Sequence, residues 1–163
     1  MIQLPTNIPL SILKSTTKFQ VGMVVRDARK TAREYETYGV GSFVEEDFPS
    51  VDATMYGKPV VFKNRTLMAN IGGWELELIQ ILEGKTIFQE FLDARGEGIH
   101  HLGLYVDDYD VEMAKWKEKG IKVLMESKCP PPYPEGSRYA YLDTESLFGV
   151  VIELAWPTTI SLK

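Results

Sequence analysis

The sequence predicts an α+β fold made of two similar halves, each a strand, a helix and then three strands. Three observations lead to this: an ungapped internal match, an apolar alternation ahead of an Asp in both halves, and a Gly after each helical segment. FQVGMVVRDARKTAREYETYGV, from Phe19, lies over HHLGLYVDDYDVEMAKWKEKGI, from His100, at an offset of 81. Gly22 and Gly103, Val25 and Val106, Asp27 and Asp108, and Gly39 and Gly120 are identical pairs, and Tyr35 falls opposite Trp116. A second match aligns GWELELI from Gly73 with GVVIELA from Gly149 at an offset of 76, pairing Glu77 with Glu153 and Leu78 with Leu154. Matching order and matching local pattern together indicate a duplicated unit.

Pro5, Pro9 and the polar STTK stretch mark residues 1–17 as an N-terminal extension. The first strand is expected over 18–26, with Phe19, Val21, Met23 and Val25 on one face and Gln20, Gly22 and Val24 on the other. Asp27 suits the N-cap of a helix over 28–38, since its carboxylate can accept from the first free N–H groups. Gly39 suits the position after that helix, where φ turns positive. Strands are expected at 41–47, 59–70 and 74–81, followed by a connecting helix over 84–95 with Ile87, Phe91 and Leu92 on one side. The second half repeats the order: a strand at 99–107, a helix at 109–119 between Asp108 and Gly120, and strands at 121–127, 137–143 and 148–155. CPPPYPEGS at 129–137 is a loop, because three consecutive prolines cannot occupy a helix interior or a central strand. The folded region is thus expected over 18–156, as modules 18–82 and 99–156 joined by a helical linker.

Composition narrows the class of protein. The chain has 163 residues, 44% hydrophobic and 25% charged, enough for a real core and unlike a disordered or collagen-like chain. No apolar run reaches the roughly 18 residues of a membrane span, and the N-terminus lacks the pattern of a secretory signal. The single Cys129 excludes an internal disulfide framework and suits a reducing compartment, so a cytoplasmic location is expected. A net charge of −5 gives no general attraction to nucleic acid.

The informative residues are those that break the apolar strands. Glu77 lies between Leu76 and Leu78, and Glu153 between Ile152 and Leu154. An ionised carboxylate in such surroundings is costly unless something compensates it. Alternation puts His101 with Gly103 and Tyr105, and its counterpart Gln20 beside Gly22. Equivalent positions in duplicated units can converge across a pseudo-twofold axis, so Gln20, Glu77, His101 and Glu153 would surround one point. Two carboxylates, one imidazole and one amide oxygen suit a divalent cation such as Zn, Co, Ni or Mn, which these donors alone do not separate. Glu75 shares the parity of Glu77 but has Val151 as its counterpart, and is the less favoured ligand.

The sequence resembles the vicinal-oxygen-chelate superfamily, which includes glyoxalase I, methylmalonyl-CoA epimerase, extradiol dioxygenases and bleomycin-type resistance proteins. The resemblance runs from about 18 to 156 and is carried by GEGIHHLGLYVDD, WELELIQIL, FQEFLDARGEG and YLDTESLFGVVIELAW, closest to the epimerase-like branch. It implies paired βαβββ modules forming a cup-shaped mixed sheet around a metal site, with Gln20, Glu77, His101 and Glu153 as the ligands. The epimerases usually carry His where this chain has Gln20, and the set here is similar to zinc-type glyoxalase I. The glutathione-binding Arg, Asn and Arg of that enzyme are replaced by Val24, Ile81 and Glu97. The epimerase's first-module catalytic Glu has no clean match, and Glu45, Glu46 and Asp52 are its candidates.

The resemblance implies a metal-dependent isomerase or lyase that holds two neighbouring substrate oxygens on the ion and stabilises an enolate. Glu153 and Glu77 would be catalytic as well as ligating, and the substrate an acyl-thioester such as methylmalonyl-CoA, or a 2-oxo compound. A glyoxalase I-like lyase and a non-catalytic binding protein on the same cup are the alternatives. Members often pair modules between chains, so a homodimer is expected, without a nucleic-acid or membrane partner.

Overall fold

A computed structural model describes residues 19–156; the expected extension at 1–17 lies outside the described residues. The first half contains β1 (Phe19–Val24), α1 (Ala28–Thr37), β2 (Val44–Pro49), β3 (Val51–Met55), β4 (Lys58–Pro59), β5 (Lys63–Ile71) and β6 (Trp74–Glu83). Helix α2 (Ile87–Arg95) leads to β7 (Gly98–Tyr105), α3 (Tyr109–Glu118), β8 (Val123–Lys128), β9 (Arg138–Leu142), α4 (Glu145–Phe148) and β10 (Val151–Trp156).

The helix ends follow from the duplicated residues. Asp27 Oδ1 accepts from Lys30 N at 2.9 Å and Asp108 Oδ1 from Val111 N at 3.0 Å, each satisfying a helix N–H that has no intrahelical acceptor. Gly39 and Gly120 each sit at φ +80° just past their helices, a conformation that costs residues with a Cβ.

All ten strands join one mixed sheet in the order β2-β5-β6-β1-β7-β10-β9-β8-β3-β4. Within each half the first strand runs parallel to the last, β1 beside β6 and β7 beside β10, while β1 and β7 meet antiparallel at the centre. This is the expected α+β architecture of repeated strand–helix–strand units. Both faces of the central strands are covered, which explains why Leu76, Leu78, Ile152 and Leu154 flank the acidic residues. Leu76 and Leu78 pack with Ala28 and Ala32 of α1, whereas Ile152 and Leu154 pack with Met113 and Trp116 of α3. Leu78 and Leu154 are fully buried, worth about 1.5–3 kcal/mol each. The opposite face lines the concave side, where Phe88 of α2 packs against Ile79, Tyr141 and Val151.

The structure revises the strand assignments at two places. The single strand expected at 59–70 is broken, and residues 51–59 form a hairpin, β3–β4, that adds to β8 of the other half. Tyr56 and Gly57 both have positive φ, 51° and 74°, the two-residue turn that best matches strand twist. Beyond Pro59, Phe62 N donates to Ser50 Oγ instead of a sheet partner. Pairing with β3 covers the edge of β8. Since β2 opens the sheet and β3 lies near its other end, with only Ser50 between them, the sheet curls until its arms meet. The second revision is at 148–155: residues 145–148 make a short helix ended by Gly149 at φ 74°, and the strand starts at Val151.

Candidate metal centre and active-site cup

The central strand register brings the four polar residues together. On the β1–β7 pair, Gly22 lies opposite His101 and Gln20 opposite Gly103. Glu77 of β6 is the neighbour of Gly22 on its other side, and Glu153 of β10 is the neighbour of Gly103. The internal symmetry therefore yields two rows, Glu77–Gly22–His101 and Gln20–Gly103–Glu153, lying side by side. The glycines supply the room. A Cβ on Gly22 would stand 1.9 Å from His101 Cε1, and one on Gly103 would stand 2.6 Å from Gln20 Oε1 and 2.9 Å from Glu153 Oε2.

His101 Nε2 lies 3.3 Å from Glu153 Oε2 and 3.5 Å from Glu77 Oε2. It is fully buried, and forms no hydrogen bond of ordinary geometry with either. Gln20 Nε2 is turned toward Met68 Sδ at 3.4 Å. The other ring nitrogen, His101 Nδ1, is 3.2 Å from His100 Nδ1, so one ring donates to the other. His100 reaches this place because the register slips between Gly22 and Met23. Such a slip lets consecutive residues of one strand share a face. His100 thereby becomes an orienting partner for His101, a role not assigned to it from the sequence.

Burial opposes the charged form of His101, but the carboxylates of Glu153 and Glu77 outweigh it and push the imidazole up to about 9. Burial drives the His100 imidazole down to about 3, with the neighbouring His101 charge adding to the effect, so His100 is neutral. The Glu77 carboxyl is held above its ordinary range, first by burial, against the opposing pull of His101.

The residues fit a divalent cation in their donor chemistry. A buried imidazole nitrogen without a good hydrogen bond faces two carboxylates, Glu77 and Glu153, whose ion-pair partner among the described residues is that ring, and an amide lies beside them. Among the described residues, however, no group of three or more His, Cys, Asp or Glu is placed so that it could hold a metal ion by itself. The fit therefore requires Gln20 or an outside ligand to complete the set.

Gln20, Glu77 and Glu153 of the cluster line a cavity of about 100 Å³ between the arms of the sheet, while the fully buried His101 is not part of its lining. Glu75 lines it too and accepts from the Tyr105 hydroxyl, as its parity with Glu77 implied. Of the three candidate acids in the first half, the structure brings only Glu46 into this cavity. Glu46 Oε2 accepts from Tyr133 O–H at 2.9 Å, and Tyr133 comes from the proline-rich loop and packs edge-on against Phe48. Glu45 turns away to Arg29 and Arg65, and Asp52 pairs with Lys128 at 2.6 Å. Asn64 and Thr66 of β5 complete the wall beside Glu46. Alternation in β5 and the Glu46–Thr66 pairing could have placed these residues, but only once the strand boundaries were known.

A curled mixed sheet built from two such units, with polar side chains meeting across its central strand pair, defines the class: a glyoxalase-like α+β protein. The chain belongs to the Glyoxalase/Bleomycin resistance protein/Dioxygenase superfamily, whose family model matches residues 19–141. Among solved structures it is similar to methylmalonyl-CoA epimerase from Mycobacterium tuberculosis, with 21% identity, TM-score 0.62, and 96% of this chain and 94% of that one covered. It is also similar to a variant of the Streptomyces coelicolor methylmalonyl-CoA epimerase in complex with 2-nitronate-propionyl-CoA, with 26% identity, TM-score 0.59, and coverage of 86% and 96%. A methylmalonyl-CoA epimerase in complex with methylmalonyl-CoA and NH4+ gives 26% identity, TM-score 0.59, and coverage of 86% and 93%. No curated protein matches the chain significantly. No helix among the described residues is long and apolar enough to cross a membrane.

Proposed function

We propose that the protein is a metal-dependent isomerase or lyase acting through an enolate, epimerase-like in layout. The observation that carries the reading is the buried His101 Nε2 held between Glu77 and Glu153. Gln20, Glu77, His101 and Glu153 would hold the ion, which when bound supplies positive charge to stabilise an enolate oxygen as it develops. His100 keeps the ring of His101 aimed at the cluster, and Phe88 and Tyr141 pack around both rings. Proton transfer beside the substrate carbonyl falls to carboxylates on the two arms. Glu153 stands on one, and Glu46, oriented by Tyr133, stands on the other, five strands away in the sheet order. Acids on both sides of a planar carbon allow removal of a proton from one face and its return on the other.

The substrate would be an acyl-thioester or a 2-oxo compound. The layout supports an acyl-thioester first. The residues in place of the glutathione-binding groups weaken the glyoxalase reading, since Val24 is buried in the core and Glu97 accepts from the backbone N–H of Arg26. We also propose a homodimer, to be seen in light scattering as a mass near twice 18.5 kDa.

Elemental analysis after metal loading tests the centre: about one ion per chain is expected in the parent, and a loss in His101→Ala and Glu153→Gln. Incubation of the loaded protein in deuterated water with methylmalonyl-CoA, other acyl-thioesters and the methylglyoxal–glutathione hemithioacetal then reads proton exchange. Metal content near zero, or unchanged in both variants, would overturn the proposal.

A further inference from the structure

Aromatic residues make up 11% of the chain but a third of the cavity wall, six of its eighteen described lining residues. They arrive from separate elements: Phe48 from β2, Phe88 from α2, Tyr105 from the end of β7, Tyr133 from the proline-rich loop, and Tyr139 and Tyr141 from β9. Tyr139 and Tyr141 share a face because they stand two residues apart in one strand. Rings that served packing alone would close the space between them, since protein interiors leave few voids larger than a water. These leave a cavity of about 100 Å³.

Five of the rings form a continuous arc. Ring centres lie 5.3 Å apart from Phe88 to Tyr141, 5.7 Å from Tyr141 to Tyr139, 5.9 Å from Tyr139 to Phe48 and 5.5 Å from Phe48 to Tyr133. Each pair meets edge-on, with planes 64–86° apart. The inner end of the arc adjoins the candidate ligands, as Tyr141 lies 5.0 Å from the His101 ring and is paired across the strands with Glu153. Its outer end is formed by Phe48 and Tyr133, which are half-buried. The tyrosine hydroxyls are engaged with the protein: Tyr105 donates to Glu75, Tyr133 to Glu46, and Tyr141 directs its O–H at Glu153. What these side chains present to a ligand is ring surface. Faces and edges of opposite quadrupole alternate along the arc, and only another π-system complements both.

The size agrees. A sealed apolar cavity of about 150 Å³ takes up benzene, so a space of about 100 Å³ that is open on one side admits one six-membered ring. We infer that the substrate is an aryl-substituted carbonyl compound, a 2-oxo compound or an acyl-thioester, whose flat ring lies along the arc while its neighbouring oxygens face Glu77 and Glu153. The inference rests on the chelating reading of the site and names the substrate class within it.

Two hydroxamates test this. Phenylacetohydroxamate and cyclohexylacetohydroxamate share the chelating oxygens and the methylene spacer, and differ only in the ring. Burial of apolar area alone favours the cyclohexyl probe, which carries more hydrogen and more surface. Calorimetry on zinc-loaded protein is expected to show the phenyl probe binding about three- to tenfold tighter. Phe48→Leu and Tyr133→Leu should each bring the two probes within about twofold of one another, whereas Tyr133→Phe, which keeps the ring and loses the hydroxyl, should retain the preference. Equal binding of the two probes by the parent protein, or tighter binding of the cyclohexyl probe, would overturn the inference and leave the metal reading intact. A preference unchanged in both leucine variants would overturn it as well. Failure to take up zinc would instead remove the chelating reading. Phenylacetamide against cyclohexylacetamide, followed by NMR titration of the metal-free protein, would then decide the aromatic subsite by the same ratio.

Discussion

Replacing Gly22 with alanine should damage the centre far more than the same change at Gly103. The methyl would stand 1.9 Å from His101 Cε1, 2.2 Å from Nε2 and 2.5 Å from Nδ1. Ordinary carbon contacts are about 3.5–4.0 Å, so the ring must retreat by about 1.5–2 Å. It has nowhere easy to go, since the side chain is fully buried and ringed by Phe88, His100 and Tyr141. Overpacking of this kind costs about 1–3 kcal/mol, and the upper end is expected because the displaced ring also leaves Glu77 and Glu153. At Gly103 the nearest atoms are Gln20 Oε1 at 2.6 Å and Glu153 Oε2 at 2.9 Å, far ends that can rotate, and Gln20 Cβ at 2.9 Å, which must give by a few tenths of an ångström. A cost of about 1 kcal/mol is expected there. Urea unfolding of the metal-free proteins measures both. The decisive comparison is a double-mutant cycle, because His101→Ala removes the ring that the added methyl would strike. A favourable coupling of about 1–3 kcal/mol is expected between the two changes. Additive behaviour, or a cost below about 0.5 kcal/mol for Gly22→Ala, would show that His101 does not lie over Gly22.

Three further outcomes follow from particular groups. In metal-free protein the His101 imidazole is raised from 6.5 to about 9. Its contribution of a few kcal/mol is complete below pH 6.5 and disappears as pH rises through about 9, and His101→Gln should flatten that slope in urea titrations. Asp27→Ala and Asp108→Ala should each destabilise by about 1 kcal/mol in urea unfolding, additively because the caps lie in different halves. Burial pushes the Cys129 thiol up to about 12. Thiol reagents at about pH 8 should therefore modify native protein slowly and unfolded protein at the normal rate.

The residue pattern by itself determined the duplicated plan. Asp27 and Asp108 start their helices and Gly39 and Gly120 follow their ends because capping and positive φ are local demands, met within a few residues. Alternation also assigned Gln20, Glu77, His101 and Glu153 to one face of their strands, since side-chain direction in a strand has a period of two. Their convergence depended on register. Gly22 had to fall between Glu77 and His101, and Gly103 between Gln20 and Glu153, which no single strand encodes. The β3–β4 hairpin was not legible because its partner, β8, lies about seventy residues further along the chain, and its reason for existing is the edge it covers. That closure brought Glu46 and Tyr133 to the far side of the cup and left Glu45 and Asp52 outside. Three acids close together in sequence were chemically alike; the curl of the sheet separated them, because burial and partners are properties of the folded surface rather than of the strand.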